Sequence, residues 1–88
     1  GGNVHVMEGA QLGIRSSIHQ NQIIGSYSII GMNSFVTKKL KVVPGFKFYG
    51  KPAKKKTKNL IGLKRNKIDN VKLKFELKRF KELMNTND

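Results

Sequence analysis

The sequence predicts a mainly β fold: a stack of six-residue repeats followed by a short α-helical segment. Two observations predict it. Aliphatic residues recur at every sixth position through the first half of the chain, and a helical apolar stripe occupies the end of the second half. Three segments follow: solenoid coils over 1–43, a turn and basic loop over 44–66, and a C-terminal helix over 67–88.

The repeat is read from Val6, Leu12, Ile18, Ile24, Ile30, Val36 and Val42, all aliphatic and all in strict register. Six is a multiple of two, so on a strand each member returns to the same face. On a helix, six residues turn through about 600°, which spreads the members around the axis. The segment is therefore a pile of very short strands joined by tight turns, the pattern of a hexapeptide solenoid. Gly13, Gly25 and Gly31 follow their aliphatic residues directly and are expected to supply the turn backbone. Ala10, Ser16, Ser28 and Ser34 recur four places after it, and Gln22 and Leu40 break that rule. About two coils are visible, fewer than such a stack ordinarily needs to bury its aliphatic face, so further coils or partner subunits are expected to complete it.

Val43-Pro44-Gly45 is turn chemistry and ends the repeat. The aromatic stretch Phe46, Phe48, Tyr49 follows, and Lys54, Lys55, Lys56 and Lys58 read as a solvated loop. The spacing then predicts a helix over about 67–85, with Leu73, Leu77, Phe80 and Met84 on one stripe and Asp69 or Asn70 as its cap. Val71, Phe75 and Leu83 lie off that stripe, which leaves room for a second packed face.

Net charge is +13, and 17 of the 18 basic residues fall between Lys38 and Lys81. Such asymmetry suits an acidic partner. A nucleic-acid module would interleave aromatics with these charges, and Phe46, Phe48 and Tyr49 give only a weak version, so no nucleic acid is expected. Without cysteine there is neither a disulfide nor a thiolate metal site, and no metal or cofactor is expected. No apolar run is long enough for membrane insertion, and no signal-peptide layout opens the chain. The expected location is cytoplasmic.

Three groups of residues carry a resemblance: Gly2-Asn3-Val4, Ile18-His19-Gln20 with Ile23-Ile24-Gly25, and Gly50-Lys51-Pro52-Ala53 with Asn59-Leu60-Ile61-Gly62-Leu63-Lys64-Arg65. Together they resemble the C-terminal portion of the acyl-carrier-protein–UDP-N-acetylglucosamine O-acyltransferase family. The resemblance implies a left-handed parallel β-helix, a homotrimer, and transfer of a 3-hydroxyacyl chain to the 3-hydroxyl of a UDP-sugar in lipid A synthesis. An acidic acyl carrier protein would be the donor, steered by Lys38, Lys39, Lys51, Lys54, Lys55, Lys56 and Lys64. The general-base histidine would lie upstream of Gly1, and His5 would be a surface or rim residue.

Residue by residue, the resemblance implies that Gly2 offers an oxyanion N–H. It implies that Asn3, His19, Gln20, Asn59 and Arg65 contact substrate, and that Met32 limits acyl-chain length by filling a groove. Asn3, Ile61 and Asn66 depart from the family's residues. Two other readings stay open: an N-acyltransferase acting on a UDP-amino sugar, and a non-catalytic trimeric solenoid fragment.

Overall fold

The structure, a computed structural model, describes residues 2–86. Six two-residue strands come first: β1 His5–Val6, β2 Gln11–Leu12, β3 Ser17–Ile18, β4 Ile23–Ile24, β5 Ile29–Ile30 and β6 Phe35–Val36. Each aliphatic repeat residue from Val6 to Val36 is the second residue of its strand. Val42 completes the series as an isolated bridge to Ile24.

All pairing among these strands is parallel, between residues eighteen apart: β1 with β4, β2 with β5, β3 with β6. Three ladders therefore rise together, one strand of each per layer. The inward aliphatics Ile24, Ile30, Val36 and Val42 form the core with Phe48 and Ala53. The backbone bonds of these ladders join residues seventeen apart, as in His5 N to Gln22 O and His19 N to Val36 O, both 2.9 Å.

The turns correct the expected role of glycine. Gly13, Gly25 and Gly31 do not hold the left-handed backbone. That position lies two residues later, at Arg15, Tyr27 and Asn33, and at Asn3, Gly9, Asn21 and Gly45 in the same register. The three glycines are needed instead for space. A Cβ on Gly25 would stand 2.4 Å from the Pro44 nitrogen and the Val42 oxygen, and one on Gly13 would stand 2.4 Å from the Met32 nitrogen. Stacked turns meet backbone to backbone there.

Gln22 and Leu40, the two exceptions to the small-residue rule, turn out to be partners. The buried Gln22 Nε2 donates to the carbonyls of Thr37 and Leu40, each at 2.7 Å. This is the turn where Lys39 fails to take the left-handed backbone, and the side-chain amide satisfies carbonyls that regular stacking leaves free.

The basic run expected as a loop is a strand. β7 (Phe46–Gly50) joins β5 in parallel, and β8 (Ala53–Lys58) pairs antiparallel with β7, giving the order β2-β5-β7-β8. An outer strand needs no apolar alternation, and lysines on it discourage pairing with another chain. A short helix, α1 (Leu60–Arg65), follows.

The predicted helix is α2, Asn70–Thr86. Asp69 caps it, accepting from the Lys72 N–H at 2.8 Å. Positions 87 and 88 lie outside the described residues. Its apolar stripe packs on the β1–β4 face: Met7, Ile23 and Phe80 are buried, with Val43, Leu77, Leu83 and Met84 against them. Leu83 joins this face, whereas Val71 and Phe75 stay exposed. No described helix is long and apolar enough to cross a membrane.

Candidate functional site

Each layer turns three corners, and the predicted site residues are distributed among them. The first corner stacks Gly2-Asn3 over Gln20-Asn21, with Asn21 N donating to Gly2 O at 3.2 Å. A cleft of about 490 Å³ opens here, lined by His19, Gln20, Asn21, Gln22, Lys38, Lys39 and Lys41, with Ile23, Leu40 and Met84 as its apolar part. His19 is half-buried, and its Nδ1 lies 3.0 Å from the Gln20 carbonyl. A carbonyl only accepts, so Nδ1 is the donor in this bond. A cleft with an imidazole, side-chain amides and three ammonium groups suits a polar, anionic ligand.

The second corner stacks Glu8-Gly9 over Ser26-Tyr27, with Tyr27 N donating to Glu8 O at 3.0 Å. A second cleft of about 440 Å³ lies beside it, lined by Gln11, Tyr27, Lys47, Asn59, Arg65 and Asn66 among others. Asn59 is buried and committed within the protein. Its Nδ2 donates to the Tyr27 carbonyl at 2.9 Å, and its Oδ1 accepts from Gly62 N at 3.2 Å as the cap of α1. Arg65, at the end of that helix, is exposed. Lys47 on β7 lines the same cleft, so two cations border it.

Tyr27 has no sequence signal for its conformation. An aromatic residue at φ 58° is unusual, and its ring covers Gly9, where a Cβ would lie 2.4 Å from the ring. Burial holds its phenol above the ordinary value of 10.0, and the nearby charges of Glu8 and Glu76 push it further up.

The third corner holds Met32, exposed, in a shallow depression of about 290 Å³ with Leu12, Ile14 and Ile30. The structure thus gathers Gly2, Asn3, His19 and Gln20 at one corner. It places Asn59 and Arg65 at a second and Met32 at a third. His5 is exposed on β1. Among the described residues no cluster of His, Asp and Glu could hold a metal ion.

The sequence reading missed Glu76. It is buried on α2 and accepts from the buried Ser26 Oγ at 2.6 Å, and Arg79 stands 3.4 Å away as its ion-pair partner. The signal was its register: Glu76 falls between Leu73 and Phe80 on the packed stripe.

This fold is shared with acyltransferases. The chain is similar in structure to Arabidopsis UDP-N-acetylglucosamine acyltransferase, with a TM-score of 0.69 and 31% identity. The match covers 81% of this chain and 24% of the Arabidopsis chain. A Bacillus cereus protein assigned as an acetyltransferase shares the fold at a TM-score of 0.59 and 21% identity, over 96% of this chain and 44% of that one. This chain therefore spans less than half the length of either. No family model matches the sequence, and no curated protein matches it.

Proposed function

We propose that this chain is the C-terminal portion of an acyltransferase that moves a 3-hydroxyacyl group from acyl carrier protein to the 3-hydroxyl of UDP-N-acetylglucosamine, as in lipid A synthesis. The observation that carries it is the first corner. His19 and Gln20, two residues on which the resemblance rests, line a cationic cleft beside Gly2. The likeness to the Arabidopsis enzyme supports the same reading.

In this reading the ladders belong to a left-handed β-helix, and three copies assemble around it. Arg65 sits at a different corner from His19, so a complete site takes its halves from neighbouring subunits. The exposed apolar residues Ile14, Met32 and Phe35 offer surface for that assembly. His19 hydrogen-bonds a substrate hydroxyl through its ring, and Gln20 positions the sugar. Arg65 binds phosphate through its planar fork. Gly2 N–H stabilises the tetrahedral oxyanion. The general base is a histidine upstream of Gly1, as the resemblance implies. Met32 shortens the acyl chain the site accepts. The lysines of β8 steer the acidic carrier protein, with a rate that falls as salt rises.

The test is acyl transfer to UDP-N-acetylglucosamine by the full-length protein, alongside Gln20→Ala and Arg65→Ala variants. Both variants are expected to raise the KM for the UDP-sugar, Arg65→Ala about tenfold or more through the loss of charge-assisted bonds to phosphate and Gln20→Ala about fivefold through the loss of a neutral one. Transfer only to an amino-sugar acceptor would replace this reading with the N-acyltransferase one. No transfer to either acceptor would leave a non-catalytic stack.

A further inference from the structure

We infer that the groove between the β7–β8 hairpin and α2 binds a single-chain anionic amphiphile, an alkyl chain carrying a carboxylate or phosphate head. The groove shares no lining residue with the clefts at the three corners and does not depend on the acyl-transfer reading. Its volume is about 510 Å³, within the ordinary range for a small-molecule site.

Its two walls are apolar. Val43 and Phe46 form one, and Leu73 and Leu77, one helical turn apart on α2, form the other. All four side chains are half-buried, so apolar surface stays open to water between them. Gly45, at φ 80°, keeps the walls in place, since a Cβ there would stand 2.8 Å from the Leu73 methyl.

The rim is cationic from both sides. Lys55 and Lys58 come from β8 and Lys74 from α2, and among the described residues no acidic one lines the groove. The Lys55 ammonium lies 4.7 Å from the Phe46 ring centroid, directly over the apolar wall. Among the described residues the single ion pair is Glu76–Arg79, so these three lysines have no carboxylate partner. Asp69, just before the groove, has its Oδ1 bonded to the Lys72 N–H. An apolar slot with unpaired cations on opposite rims fits a ligand that is apolar along its length and anionic at one end. A neutral chain would leave the ammonium groups without a partner, and a compact inorganic anion would leave the walls uncovered.

The experiment is an NMR titration of the protein with octanoate, decanoate, octyl phosphate and decyl phosphate, below micelle formation. Decanol, decyltrimethylammonium and inorganic phosphate are the controls. The expected result is saturable shifts at Val43, Phe46, Leu73 and Leu77, with Kd falling about fourfold per added methylene. The carboxylate and phosphate series separate a fatty-acid-like ligand from a phospholipid-like one. Lys58→Glu with Lys74→Glu, both outside the packed core, should raise Kd about tenfold or more while the methylene dependence persists. Equal binding of decanol or of the cationic amphiphile would overturn the proposal. So would shifts confined to other surfaces, or no saturable binding by any anionic chain.

Discussion

The first and second layers of the stack carry the same pattern and have opposite fates. Val6 and Ile24 hold the same repeat position and pair with each other across one ladder, as do Leu12 and Ile30. Yet Val6 and Leu12 are 46% and 44% exposed, while Ile24 and Ile30 are 0% and 1%. The six-residue period thus encodes where a side chain points, and the neighbouring layer decides whether water reaches it. This is the quasi-one-dimensional logic of repeat structures, in which each unit is stabilised by the next.

The largest expected effects follow from that contrast. Ile24→Ala should destabilise by about 3–4 kcal/mol, because it opens a cavity in a fully covered core. Val6→Ala should cost about 1 kcal/mol or less, since its position is already half in water. Urea unfolding of both variants measures the difference, and equal losses would show that the first layer is covered in solution. The glycines sharpen the same point. Gly25→Ala forces a Cβ against backbone and should cost about 3 kcal/mol, whereas Gly2→Ala meets nothing within 4 Å and should be close to neutral.

A smaller loss is expected where α2 is fastened to the second layer. Glu76→Ala removes the acceptor of a fully buried Ser26 hydroxyl and should cost about 2 kcal/mol. The first layer has no equivalent, because its corresponding residue, Glu8, is exposed. A Ser26→Ala, Glu76→Ala double variant that loses little more than Glu76→Ala alone would place the coupling in this one bond.

The corner at Tyr27 predicts a pH effect. The folded phenol titrates above its ordinary value of 10.0, so the protonated form is favoured by folding. This stabilisation is complete below pH 10 and is lost as pH rises through the folded value. Tyr27→Phe should therefore flatten the alkaline fall in stability, measured as the unfolding midpoint across pH 9 to 11. An unchanged slope would locate the alkaline loss in the lysines.

How much of this the sequence carried depends on what each residue type records. Seven aliphatics at period six specified every short strand, because strand faces alternate and the register cannot slip unnoticed. The hairpin was illegible. β8 is an outer strand whose lysines carry no apolar alternation, and Ala53 is its one buried residue. The resemblance makes Asn59 a substrate contact, and nothing in the sequence shows that its side chain also caps α1 and holds the Tyr27 carbonyl. The division of the site among three corners was hidden for a different reason. Sequence distance around an eighteen-residue layer does not reveal which corner faces which cleft.

The turns contain one signal that was present and unused. The left-handed position is filled by Asn3, Gly9, Asn21, Asn33 and Gly45, the residue types that tolerate that backbone. Arg15 and Tyr27 interrupt the series and mask it. Tyr27 is compensated by burial and by hydrogen bonds to Glu8 and Asn59, but Arg15 is exposed and has no side-chain hydrogen bond among the described residues. Arg15→Gly should therefore relieve about 1–2 kcal/mol of backbone cost and lose about 0.5–1 kcal/mol to the freer unfolded chain, a net gain of a few tenths or more. Arg15→Asn should gain a similar amount. A loss of stability in both variants would mean that the Arg15 side chain makes a stabilising contact in solution, and that the first layer is not simply a copy of the second with its cover removed.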